Sequence, residues 1–204
     1  QHDKAIEIML KKEEVKPGLY ETYANLGTFH IHGGNLQEGL KHIQRAIAIN
    51  PNAHFGREVY QQLLVEYLLE KRRFFDEEHS PSDKDLDTEQ EDTQQKRVKR
   101  RQALESFATY VLAHAQASGA KQKLKESAVR LELQHAIKGV LGMMRFGNHE
   151  SPVLLAALGS LLGWNEWSPG SSKRLAARAY LKASYVVQNQ AAKDRYRRLA
   201  KNAL

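Results

Sequence analysis

Tyr23-Ala24-Asn25-Leu26-Gly27, continued by Gly34, Gly39-Leu40, Ala46 and Asn50-Pro51, is the stretch that decides the fold. Pro51 stands 34 residues after Pro17, and Gly39-Leu40 precedes Pro51 at the spacing at which Ala5-Ile6 precedes Pro17. A period of that length, with small residues inside and proline at its end, reads as two helices and a turn that stack on copies of themselves. His32-Gly33-Gly34-Asn35 divides the unit, because glycine supplies the left-handed conformation that ends a first helix. The spacing therefore predicts helices over residues 19–33 and 36–49. Residues 3–14 hold the second helix of a preceding unit. Residues 53–73 open a third, where Tyr60, Leu63, Leu64, Tyr67 and Leu68 form an apolar stripe at spacings of three and four.

Beyond residue 73 the pattern breaks. Residues 76–92 carry nine acids against one lysine, too little apolar surface to offset the entropy of ordering. The basic run Lys96-Arg97-Val98-Lys99-Arg100-Arg101 follows at once and reads as the solvated first turn of a helix. Residues 76–101 are thus expected to be a charged linker or loop, its acidic part the least ordered internal segment. Helical periodicity resumes over residues 102–118 and 121–146. Ser151-Pro152 opens a helix to residue 163, Ser171 or Ser172 caps one to residue 188, and a last amphipathic helix spans about residues 191–204. No segment shows sustained strand alternation, so the expected fold class is all-α. The chain divides into residues 1–75, 76–101 and 102–204, read as two short helical arrays joined by a charged linker.

The period and these residues resemble the tetratricopeptide repeat (TPR) family, and the whole chain is similar to bacterial TPR proteins. The resemblance implies a right-handed solenoid of antiparallel helix pairs. It assigns Gly27 and Ala46 to close helix approach, Tyr23, His30 and Ile43 to filling between helices, and Pro51 to ending the second helix. Gly39 departs from the family's alanine, at an expected cost of about 0.5–1 kcal/mol in helix propensity. The C-terminal half looks like a degenerate form of the same unit. There Leu158-Gly159 matches the Leu-Gly pair, and Ala176, Tyr180 and Ala183 match the trio of the second helix. Ala136, Val140 and Met143 repeat that spacing more weakly.

In such arrays the first helix of each pair lines the concave face. The positions that resemblance places there are Glu21, Ala24, Thr28, Ile31 and His32, then Phe55, Glu58, Gln62, Val65 and Glu66. Glu21, Thr28, His32, Glu58, Gln62 and Glu66 are the expected partner-binding residues, with Glu58, Gln62 and Glu66 forming one polar ridge. An acidic-to-neutral groove of this kind suits a basic or amphipathic peptide. Ala24 and Thr28 stand where the family's clamp for chaperone C-termini needs other residues, which argues against that specificity. Trp164 and Trp167, in a loop over residues 164–172, are a secondary docking candidate.

The expected function is a non-catalytic scaffold that binds a protein or peptide on its concave face. The alternative is nucleic-acid or anionic-surface binding through residues 96–101 and 193–201, since the net charge is +7 and concentrated in those regions. A third reading, an enzyme around His135, Arg145 and His149, has no motif behind it, and no catalytic residue or cofactor is expected. Cysteine is absent, which removes disulfides and thiolate chemistry. His30 and His32, two apart on a helix, point about 200° from one another and cannot chelate one metal ion. No run of apolar residues is long enough to span a bilayer. These features leave the compartment open between cytoplasm and bacterial periplasm, and upstream sequence is expected because the chain starts inside a repeat.

Overall fold

The computed structural model describes residues 2–79, 91–118, 125–164 and 170–204, and within them the fold is all-helical. Ten α-helices run α1 (His2–Val15), α2 (Tyr20–His32), α3 (Leu36–Ile49), α4 (Arg57–His79), α5 (Glu91–Ala103), α6 (Phe107–Ser118), α7 (Glu126–Phe146), α8 (Pro152–Gly163), α9 (Gly170–Val186) and α10 (Gln190–Asn202). A short turn, Ala53–Gly56, sits between α3 and α4.

Three antiparallel pairs organise these helices. In the first, Tyr23 of α2 packs under Arg45 of α3, Gly27 meets Ile43, and Ile31 meets Gly39, so one helix ascends as the other descends. Asn35 opens α3 by accepting from the Glu38 amide at 3.3 Å, and Gly34 takes the left-handed φ of +87° that the turn requires. In the second pair, Arg57 of α4 lies against Gly142 of α7 and Tyr60 against Gly139, while the Tyr60 hydroxyl donates to Glu132 at 3.0 Å. In the third, Tyr180 of α9 lies against Gly159 of α8 and Ala176 against Gly163. Tyr180 is 8% exposed, as its role between these helices demands.

The pairing of α4 with α7 has a consequence for the domain boundaries. Tyr60, Leu63, Leu64, Tyr67 and Phe74 join Phe107, Val111, Leu133, Val140, Leu154 and Leu161 in one core. The expected boundary at residue 75 falls inside α4, and the apolar stripe of α4 is buried against the C-terminal helices. A smaller cluster, with Tyr20, Tyr23, Leu26 and Ala46 buried, ties α1 to α2 and α3. The charged linker or loop expected over residues 76–101 is helical at both ends, since α4 continues to His79 and α5 runs from Glu91 to Ala103. Arg100 folds back to pair with Glu77 at 2.8 Å and lies over the Phe74 ring. The reading of residues 80–90 as a mobile loop lies outside the described residues.

Residues 102–118 differ from the single helix expected there. The basic run belongs to α5, and the chain breaks before α6 because Ser106 and Thr109 cap each other reciprocally. The Thr109 amide donates to Ser106 Oγ at 3.2 Å, and the Ser106 amide to Thr109 Oγ1 at 2.9 Å. Ser160 of α8 then accepts from the Ala108 amide at 3.3 Å, satisfying one first-turn donor of α6 from another helix.

Gly39 also behaves differently from its helix propensity. A Cβ there would stand 2.6 Å from Ile31 Cγ1 and 2.9 Å from the Gly27 carbonyl oxygen. The backbone oxygen cannot rotate away, so Gly39→Ala is expected to destabilise. Helix propensity would favour alanine by about 0.8–1 kcal/mol, but overpacking of a close helix contact costs about 1–3 kcal/mol. Gly27→Leu should cost more, because the first side-chain carbon already meets Ile43 at 2.6 Å. Urea midpoints check both: a Gly39→Ala variant as stable as the parent would remove the close-approach role.

Candidate functional site

A cleft of about 460 Å³ opens between α2, α4, the end of α7 and the start of α8. Its apolar wall is formed by Ile31, Leu64, Val65, Leu68, Met143 and Leu154, and its polar groups are Asn25, Thr28, His32, Gln61, Arg57 and Asn148, with His2 at the margin. The periodicity of α4 explains the division: Leu64, Val65 and Leu68 turn inward beside Gln61, one helical turn earlier. Gln61 is itself buried, and its amide donates to Thr28 Oγ1 at 3.3 Å. The Thr28 hydroxyl in turn donates to the Ala24 carbonyl at 2.9 Å, so the Gln61 and Thr28 side chains are fixed at the base of the cleft.

His32 closes one end. Its ring lies edge-on to His2, with centroids 5.8 Å apart, and a Cβ on Gly147 would be 3.5 Å from its Cε1. Partial burial and then the His2 charge hold its pKa below the usual imidazole value. At the α4–α7 edge the Arg57 guanidinium sits 5.7 Å from the centroid of the exposed Phe146 ring. Ser151 caps α8 beside the cleft, accepting from the Leu154 amide at 3.4 Å. None of the cleft-lining side chains is a carboxylate. The amides of Asn25, Gln61 and Asn148 can each donate and accept, which is the requirement for pairing with an extended main chain.

The expected site residues divide by location. Thr28 and His32 line the cleft together. Glu21 is exposed and lies outside its lining. The predicted ridge of Glu58, Gln62 and Glu66 is not an open face. Gln62 donates to Glu66 at 2.8 Å, and Glu66 contributes to the raised Tyr110 pKa, whose main cause is burial. These residues therefore lie on the α6 side of α4. Glu58 is 2% exposed and takes Arg57 Nε at 2.9 Å and Arg57 Nη2 at 2.5 Å on one oxygen. His54 Nδ1 is 3.3 Å from that same oxygen and 2.9 Å from the Tyr20 hydroxyl. Phe55 sits in the preceding turn instead of on helix α4, with φ at +63° and 79% exposure, and Lys138 stands over its ring.

Trp164 is the C-terminal cap of α8 and is 40% exposed, while Trp167 lies outside the described residues. His30 stacks on His42 at 5.3 Å while His32 turns to His2, confirming that the two point apart. Among the described residues, no group of three or more His, Asp or Glu side chains is placed to hold a metal ion, and no helix is long and apolar enough to cross a membrane. His135, Arg145 and His149 are exposed.

Sequence reading missed Asn25, Gln61, Arg57 and the entire α7–α8 wall. The missing signal was Gly139: a glycine facing Tyr60 marks α7 as the partner of α4 across the intervening α5 and α6. A larger depression of about 620 Å³ is lined, among the described residues, by residues 125–134 at the start of α7 alone. No protein-family model, curated protein or solved structure matches this chain.

Proposed function

We propose that this protein is a non-catalytic, TPR-like helical scaffold that holds an extended, amphipathic segment of another polypeptide in the α2–α4–α7–α8 cleft. The observation that carries the reading is the cleft itself, an apolar wall bordered by side-chain amides and contributed by four helices drawn from all three pairs. Grooves of that composition suit a peptide whose apolar side chains enter the wall while its main chain meets the amides. The lining carries Arg57 and two histidines but no carboxylate, which favours a neutral or acidic segment over the basic one expected from sequence.

Peptide display against the intact chain tests this. Enriched peptides should share apolar residues at alternate positions, and Val153→Asp should weaken them by about tenfold, roughly the loss of one apolar anchor. Val153 is 39% exposed on the cleft margin, in the first turn of α8, where an acid suits the helix dipole, so the variant should fold. Peptides that bind Val153→Asp and parent equally would overturn the reading.

A second reading, binding of nucleic acid or an anionic surface, is favoured by the exposed Arg197, Arg198 and Lys201 of α10 and Arg97, Lys99 and Arg101 of α5. The same assay separates them, because phosphate-backbone binding falls steeply and linearly with log salt while the peptide cleft responds weakly.

A further inference from the structure

Helix α9 buries one side and leaves the other bare. Ala176, Tyr180 and Ala183 are buried, with Tyr180 against Gly159 and Ala176 beside Gly163 of α8. Arg174, Leu175, Arg178, Leu181, Lys182 and Tyr185 are exposed. Their spacings of three and four residues put them on the opposite side of the helix as one continuous face. Along it three cations alternate with three apolar side chains. Helix α9 contains no acid, and among the described residues the one ion pair of this face joins Lys182 to Glu150 at 3.6 Å.

Water serves the cations, but it does not serve Leu175, Leu181 and Tyr185, which stand between 38% and 67% exposed. A lone apolar residue on a surface is ordinary, whereas three on one helix face form a patch. The phosphates of a nucleic acid would neutralise the cations and leave both leucines in water. An amphipathic segment of another protein would need a groove, and neither cavity described above has a wall from α9. A bilayer with anionic headgroups satisfies both kinds of side chain. The guanidinium and ammonium groups stand at the headgroups, while the leucines and the tyrosine ring enter the acyl boundary. Long basic side chains suit this position, because their stems lie along apolar surface and their charged ends reach out to phosphate.

We propose that the outer face of α9 is a docking surface for an anionic lipid bilayer, on which the protein sits peripherally. The face shares no residue with the peptide cleft. It is also distinct from the basic residues of α5 and α10 on which the nucleic-acid reading rests.

Co-sedimentation of the intact chain with vesicles of phosphatidylcholine alone, and of phosphatidylcholine with about one-third phosphatidylserine, tests it. Pelleting is expected with the anionic vesicles only. Arg178→Gln should weaken it about fivefold, the contribution of one cation at such a surface, and Arg97→Gln on α5 should not. Leu181→Gln should weaken it by at least as much, through the loss of one inserted side chain. Because the chain has no cysteine, an environment-sensitive dye can be attached at Tyr185→Cys or at the exposed Val98→Cys of α5 alone. With anionic vesicles its emission should shift to the blue at Tyr185→Cys and stay unchanged at Val98→Cys. No pelleting, or equal pelleting with both vesicles, overturns the proposal. Equal weakening by Arg178→Gln and Arg97→Gln, binding indifferent to Leu181→Gln, or a blue shift as large at Val98→Cys as at Tyr185→Cys does the same. Binding of a single-stranded oligonucleotide that Arg178→Gln abolishes, without binding of vesicles, overturns it and assigns the face to nucleic acid.

Discussion

Phe107→Ala is expected to lower the stability of the whole chain by about 3–5 kcal/mol and to keep unfolding a single transition. Phe107 is 2% exposed at the start of α6, and its ring packs 5.9 Å from that of Tyr67 on α4. The core around it also holds Val111, Leu133, Val140, Leu154 and Leu161, from α6, α7 and α8. Truncation would remove the transfer energy of a buried ring and leave a cavity that four helices must collapse to fill. Because α4 belongs to this core and also meets the N-terminal pair, with Gln61 donating to Thr28 of α2 at 3.3 Å, the loss should reach residues 20–49 as well. Hydrogen exchange across α2 and α3, together with the urea midpoint, checks this. Two separate transitions, with only the C-terminal one shifted, would show two independent arrays instead of one coupled unit.

The second large effect falls on Glu58, where removal of the carboxylate should destabilise by about 3–5 kcal/mol, the range for breaking a buried ion pair from one side. Glu58→Ala leaves the Arg57 guanidinium, 15% exposed, without its acceptor while it stays wedged against Gly142 and over Phe146. The same network fixes the turn ahead of α4, where His54 and Phe55 hold left-handed φ values of 47° and 63°. Strain of that kind costs about 1–3 kcal/mol for each residue and persists only where neighbours over-determine it. The double variant Arg57→Leu with Glu58→Leu should lose markedly less than the sum of the two single changes, because no uncompensated charge remains. Thermal denaturation of the four proteins gives the coupling. Additive losses would mean that the pair contributes nothing as a pair. Substitution of Glu58 therefore reports on folding, and Val153 is the better place to interrogate the cleft.

These two residues also mark the limits of reading the chain alone. Glu58 sits at a position where helical spacing and the resemblance to a repeat predict an exposed polar ridge with Gln62 and Glu66. Spacing fixes which residues share a helix face, but not what that face meets. Here the face of α4 meets the turn at His54, Tyr20 of α2 and Tyr110 of α6, so one acid is buried, one is turned toward α6, and the cleft passes to Gln61.

What the sequence determined by itself was local. Helix positions around Asn35, Ser151 and Gly147 follow from capping and glycine chemistry within a few residues. The pairing of α2 with α3 and of α8 with α9 follows from short connections and from glycines facing large side chains. Thr28 and His32 were legible for the same reason, since they lie on a helix whose partner is its neighbour in sequence. The partner of α4 was not legible. It is α7, beyond α5 and α6, and that choice rests on Tyr60 fitting the gap at Gly139 and on a core assembled from residues tens of positions apart. Long-range packing of this kind is decided by shape and by the apolar area that only the assembled helices can bury. The cleft, which needs α4 and α7 side by side, is for that reason a property of the tertiary structure.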